Sequence, residues 1–127
     1  MSTIPHALRY TKDHEWVRPE SDGSLTIGIT DFAQNSLGDV TFVELPATGD
    51  HFDAGQTFGV VESVKAASDL YMPVAGTVLA TNDSLPDAPE SVNSDPFGAA
   101  WMIRIQPDHP ADLDALLDAT AYAAIAS

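Results

Sequence analysis

The chain is predicted to be mainly β: a small β-sandwich or flattened barrel carrying short helices, two of them at its C-terminal end. Three observations lead there. Short runs rich in Val, Ile, Thr and Phe recur between clusters of Gly, Pro, Asp and Ser, the spacing of strands and turns. The 127 residues are 44% apolar, which suits one domain, residues 1–127, with a sizeable buried core. A helical spacing of apolar residues takes over only after Pro110.

In order along the chain, His14–Arg18 and Ser24–Ile29 read as strands joined by the turn Pro19-Glu-Ser-Asp-Gly23. Thr30 is placed to cap a short helix, with Asp31 in its electropositive first turn and Gly38 at its end. Val40–Leu45 is a strand stopped by Pro46, and Ala47–Gly55 is a turn-rich connection. The continuous apolar run Phe58–Val61 fits a strand covered on both faces, growing polar towards Glu62 and Ser63. A return strand runs from about Ser68 to Tyr71, with Pro73 confining it to an edge or an end. Gly76–Thr81 and Trp101–Ile105 are further strands, separated by a long loop or weak helix over Asn82–Asp95. A helical tail spans about 110–125: Leu113, Leu116 and Leu117 share one face, and Asp118 or Thr120 restarts a second helix bearing Tyr122 and Ile125.

Nineteen acids against five Lys and Arg give a formal net charge of −14. Such a surface repels phosphate backbones and anionic membranes, so neither nucleic acid nor membrane is an expected partner; it suits either steering towards basic clefts on other proteins or solubility alone. Cysteine is absent, which excludes disulfides, thiol nucleophiles and Cys-based metal sites. The four histidines are scattered, and no metal site is expected from them. No nucleophile elbow or phosphate-cradling loop is present. The N-terminal residues lack the pattern of a secretory or transit segment, and no run reaches membrane-spanning length; the expectation is a cytoplasmic protein, with a processed mitochondrial form as the alternative.

The most ordered local pattern surrounds Lys65, one of only two lysines. Gly55 and Gly76 punctuate its flanks at similar distances, and strand-like runs lead into and out of it, describing a hairpin over about 56–74 with one amine at its tip. Ala66, Ala67 and Ser68 leave that amine sterically open, and Glu62 and Asp69 bracket it with negative charge that a modifying enzyme could read. An ordinary solvated lysine would look the same in isolation.

The wider context adds a resemblance. Gly59-Val-Val-Glu-Ser-Val-Lys-Ala-Ala-Ser-Asp69 followed by Pro73-Val-Ala-Gly76 is similar to the lipoylation motif of the glycine cleavage system H proteins. Tyr10–Val17, Gly28–Gln34, Leu37–Val40, Phe42–Pro46, Val92–Gly98 and Trp101–Ile103 match that family in order and spacing, as do Leu113, Leu116, Leu117 and Tyr122. The likeness covers about nine-tenths of the chain. Biotin carriers resemble it less, since methionines usually flank their lysine where Val64 and Ala66 stand here.

The resemblance implies a barrel-sandwich hybrid fold and lipoate amide-linked to Lys65. It implies a shuttle without an active site of its own. The lipoyl group would accept an aminomethyl unit at the pyridoxal-phosphate-dependent glycine decarboxylase and deliver it to the aminomethyltransferase, which uses tetrahydrofolate. Dihydrolipoamide dehydrogenase would then reoxidise it with FAD and NAD. A lipoyl ligase or octanoyltransferase would be a further partner, and the protein is expected to be a monomer. Glu15, in the His-Glu-Trp block, is the candidate lining of a cleft that shelters the loaded arm, pairing with its amine. Trp16 and Trp101 read as core or cleft-wall aromatics, and Asp31 as a helix N-terminal residue. Two alternatives stand beside the shuttle: a relay of octanoyl or lipoyl groups in lipoate metabolism, and a non-lipoylated interaction module. One departure from the family pattern is Gly98-Ala-Ala-Trp101, where alanine at position 100 would be strained if the turn required positive φ.

Overall fold

Every strand expected from the sequence is formed in the computed structural model, which describes residues 4–126; the first three residues and the last of the expected domain lie outside that range. The strands are β1 (Arg9–Tyr10), β2 (Glu15–Pro19), β3 (Leu25–Ile29), β4 (Val40–Glu44), β5 (His51–Phe52), β6 (Thr57–Ser63), β7 (Ala67–Tyr71), β8 (Gly76–Thr81) and β9 (Ile103–Pro107). Helices α1 (Asp31–Leu37), α2 (Ser91–Ser94) and α3 (Ala119–Ala123) and one 3-10 turn (Pro110–Ala115) complete the described elements. The two-residue strands β1 and β5 carry too few residues to show a period, and the sequence did not reveal them. The last strand begins two residues later than expected: Trp101 and Met102 precede it.

All pairings are antiparallel. Six strands form one sheet in the order β1-β2-β3-β9-β8-β5, and β4-β6-β7 form a second. The flattened barrel is therefore not closed; two sheets share one core, the barrel-sandwich arrangement. Val17, Ile27, Ile103 and Ile105 from the large sheet meet Val43, Phe58, Val61 and Leu70 from the small one. In β6, Phe58 and Val61 are buried while Val60 is half-buried and Glu62 exposed, so the strand is covered fully on one face only.

A second apolar cluster lies beside the first: Leu8, Tyr10, Trp16, Ala119, Tyr122 and Ala126. Gly28 makes it possible, because Gly28 pairs with Trp16 and a Cβ there would fall 2.6 Å from the indole ring. Tyr10 and Tyr122 stack with centroids 4.5 Å apart and planes 9° from parallel. The C-terminal segment closes this cluster, and here the structure corrects the expected single leucine face. Pro110–Ala115 forms a 3-10 turn rather than α-helix, and Leu116 leaves it in extended conformation. Leu113 and Leu116 pack on the main core, whereas Leu117 joins the second cluster and bridges Tyr10. The helix restarts with Asp118 as cap, its side chain accepting from the Ala121 amide; Tyr122 is buried but Ile125 is exposed.

The Gly98–Trp101 turn needs no left-handed residue at Ala100: His14 is the one non-glycine residue with positive φ among those described. Ala100 is buried, its amide bonded to the Asp95 carbonyl, while the Asn82 amide group ties the Ala99 and Trp101 carbonyls. Alanine is accommodated there without backbone strain.

Candidate functional site

Lys65 is exposed at the tip of the β6–β7 hairpin. Glu62 pairs with Ala67 below the tip, and the Ser63 amide bonds to the Ala66 carbonyl across it. The Ser63 hydroxyl accepts the backbone N–H groups of both Lys65 and Ala66 at 3.2 Å, supplying the turn's missing acceptor. A further bond, Val64 N–H to the Asp39 carbonyl at 3.2 Å, straps the tip to the loop after α1. The amine thus stands on a defined pivot.

Beneath it lies Gly38, whose φ of 75° ends α1 in the left-handed region. A Cβ at Gly38 would come within 3.1 Å of Lys65 Cε, so the missing side chain is what lets the lysine stem lie across the helix end. α1 itself is held by Thr30, which caps Ala33 N–H, as expected, and by Asn93, whose side chain bonds the Gly38 carbonyl, the Val40 amide and Gln34. Asp31 is its first residue and accepts from Gln34 Nε2.

From this helix end a groove of about 170 Å³ runs between α1 and β7, lined by Asp13, Glu15, Phe32, Leu37, Ser68 and Asp69 among others. The sequence-expected residues fall around it unequally. Asp69 is exposed and borders the groove; Glu62 is exposed on β6 and does not. By register Glu62 and Asp69 share one face of the small sheet, opposite Ala67 and Val60 respectively. Trp16 is fully buried, its indole N–H donating to the Pro96 carbonyl at 2.9 Å, and Trp101 is half-buried in the second cluster.

Glu15 is not a solvated strand residue: only 2% of it is exposed. Its Oε1 accepts from the Thr11 hydroxyl at 2.8 Å and its Oε2 from the Tyr71 backbone N–H at 3.0 Å, joining the large sheet to the foot of the lysine hairpin. Burial pushes its carboxyl up to about 7, against the opposing pull of the Tyr71 and Thr11 hydrogen bonds. It also borders a second, larger groove of about 320 Å³ formed with Met72, Pro73 and Leu116, away from the lysine. A buried carboxylate at the edge of two grooves thus holds its proton to about neutral pH.

Several groove residues were not singled out from sequence. Asp13 is a polar residue before β2 with no spacing signal; Phe32 and Leu37 become a wall only where α1 and β7 face one another. Ser63 carried a legible hint, a hydroxyl two residues before the lysine in a tight turn. No group of three or more His, Asp or Glu able to hold a metal occurs among the described residues.

An exposed lysine fixed at a hairpin tip on a two-sheet scaffold, with a groove alongside, has the form of a carrier domain. The match to known proteins agrees. The family model of the glycine cleavage H-protein matches residues 8–127. The glycine cleavage system H protein of Chromohalobacter salexigens is 59% identical over 127 residues, covering 100% of this chain and 97% of that protein. That of an Azoarcus species is 59% identical over 97% of this chain and 96% of its own length. A crystal structure of a glycine cleavage system H protein from Mycobacterium marinum superposes with TM-score 0.86 at 40% identity, covering 95% of this chain and 97% of that one. The chain belongs to the glycine cleavage H-protein family.

Proposed function

We propose that the chain, as one domain over residues 1–127, is the lipoyl-carrying shuttle of the glycine cleavage system, with Lys65 as the attachment residue. Membership in the H-protein family supports the role, and the presentation of Lys65 over Gly38 beside the groove is the observation that carries the residue assignment. Lipoate fits here: the amine is exposed, its neighbours Val64 and Ala66 leave it accessible, and the stem lies over Gly38, next to Leu37 of the groove wall. When attached, the dithiolane supplies the chemistry of accepting an aminomethyl unit from glycine decarboxylase and yielding it to the aminomethyltransferase, before reoxidation by dihydrolipoamide dehydrogenase.

The chain's own residues place and shelter. The Ser63 turn and the Asp39 strap hold the pivot still while leaving the arm free. Phe32 and Leu37 offer an apolar wall, and Glu15, Asp13 and Asp69 give the groove negative potential suited to a cationic amine. An ammonium against Glu15 would favour its ionised form and draw the carboxyl back down from about 7. Glu62 and Asp69 are the flank read by a lipoyl ligase or octanoyltransferase. The protein acts as a monomeric, cytoplasmic carrier with no active site of its own; among the described residues no helix is long and apolar enough to cross a membrane.

The deciding measurement is intact mass after incubation with lipoate and a lipoyl ligase. One lipoyl-sized increase is expected, and none in Lys65→Arg; its survival in that variant would refute the site. Glycine decarboxylation reconstituted with the three partner enzymes then distinguishes the shuttle from a relay of lipoyl groups, which would show no turnover.

A further inference from the structure

We propose that Tyr122, on the C-terminal helix, is a positioning residue for the groove: it fixes His14 as the neutral Nε2–H tautomer and so keeps the wall next to Glu15 uncharged when a cationic amine is held there. The inference rests on the reading of the groove as the shelter for that amine.

The donor and acceptor count assigns the protons. Thr30 is fully buried. Its Oγ1 accepts the Ala33 N–H at 3.2 Å and lies 2.7 Å from the Tyr122 hydroxyl. The Ala33 amide can only donate, so the proton of Thr30 goes to Tyr122 Oη. The single proton of Tyr122 then goes to His14 Nδ1, 2.8 Å away. A neutral imidazole that accepts at Nδ1 carries its hydrogen on Nε2. Protonating His14 would turn Nδ1 into a donor to Tyr122 Oη, leaving either the Tyr122 or the Thr30 hydroxyl proton with no acceptor on this chain of bonds, an unfavourable state.

Packing fixes every member of this relay. Tyr122 is stacked on Tyr10, so its hydroxyl is placed by the docking of α3. His14 stacks on Phe32 with centroids 4.4 Å apart and meets Tyr122 edge-on at 5.6 Å. Its backbone sits at φ 67°, a region uncommon for non-glycine residues. Asp13 and Glu15 flank it on its own segment, Asp69 on β7 lines the same groove, Asp31 on α1 acts on the Tyr122 phenol, and that phenol and its stacked partner Tyr10 stand behind the ring. Burial, the larger effect, holds His14 below the ordinary histidine range, Asp13 pulls the other way by favouring the imidazolium, and the relay adds to the opposition. His14 lines the same groove as Glu15, so a charged ring there would repel the amine that Glu15 attracts.

The relay is tested without lipoate. Nitrogen NMR of the unmodified protein is expected to show neutral His14 as the Nε2–H tautomer. In Tyr122→Phe, which keeps the stack on Tyr10, the Nδ1–H tautomer gains population and the His14 titration moves up towards the ordinary range. An Nδ1–H tautomer in the parent protein, or an unchanged titration in Tyr122→Phe, overturns the proposal whatever the fate of the carrier reading. On the lipoylated chain, loss of glycine-derived cargo as formaldehyde is expected to be about two- to tenfold faster in Tyr122→Phe near pH 6 and equal to the parent near pH 8. His14→Asn tolerates the left-handed backbone and cannot acquire charge, so it should show no such acceleration near pH 6. Equal acceleration of Tyr122→Phe at both pH values, or of His14→Asn near pH 6, refutes the positioning role.

Discussion

Replacing Glu15 by glutamine should remove a large part of the pH dependence of folding. Glu15 titrates at about 7 in the folded protein against 4.5 for an unperturbed glutamate, a difference of 2.5 units. At about 1.4 kcal/mol per unit this corresponds to about 3.5 kcal/mol in full. The sign follows from proton binding: the folded state holds the proton more tightly, so the associated stability is fully present below the unfolded value and is lost as pH rises through about 7. Glutamine cannot ionise and has no such loss. It also turns an amide towards the Thr11 hydroxyl or the Tyr71 N–H, both donors, and loses one of the two bonds to Oε1 and Oε2. That costs about 1–3 kcal/mol, but at every pH. The diagnostic quantity is therefore the slope and not the level. Urea unfolding of both proteins at several pH values should show parent stability falling relative to Glu15→Gln by about 3 kcal/mol between about pH 4.5 and 8. A difference that stays level within about 1 kcal/mol would mean that the buried carboxylate is solvated in solution, and the cation-holding role drawn from its burial would fail with it.

Two further perturbations probe the scaffold. Gly28→Ala places a Cβ 2.6 Å from the buried Trp16 ring, whose indole N–H is anchored on Pro96, and should destabilise by about 1–3 kcal/mol in chemical unfolding; an unchanged midpoint would mean that the ring is free to move. Ser63→Ala removes the acceptor for the Lys65 and Ala66 amides in an exposed turn, so global stability should change by less than about 1 kcal/mol while hydrogen exchange at those two amides accelerates up to about tenfold; unchanged exchange would show that the turn holds without the hydroxyl.

How far the chain could be read without coordinates depended on the range of the interaction. Strands β2, β3, β4, β6, β7 and β8 were legible because each buries alternating or continuous apolar residues between turn formers, a purely local pattern. The Thr30 cap was legible for the same reason, since a cap bonds within its own first turn, and of Asp118 and Thr120, which the sequence offered for the last helix, the structure takes Asp118. The C-terminal leucines misled because spacing alone cannot tell one α-helical face from a 3-10 turn whose following residues are pulled into an extended bridge with Tyr10. Two-residue strands such as β5 have no period to read.

The same division holds at the site. The sequence by itself determined that one lysine stands between glycine-punctuated strands with small and acidic neighbours, and that most of the chain is colinear with one carrier family, whose model matches residues 8–127. Both are properties of adjacent residues or of their order. Only the tertiary structure decided that Glu15 is buried with a proton held to about 7, that Gly38 leaves room for the lysine stem, and that Tyr122 reaches His14 and Thr30 across more than ninety residues of chain. Burial, groove shape and proton placement arise from atoms brought together by two sheets closing on one core, and residues distant in sequence leave no spacing by which that meeting could be foreseen.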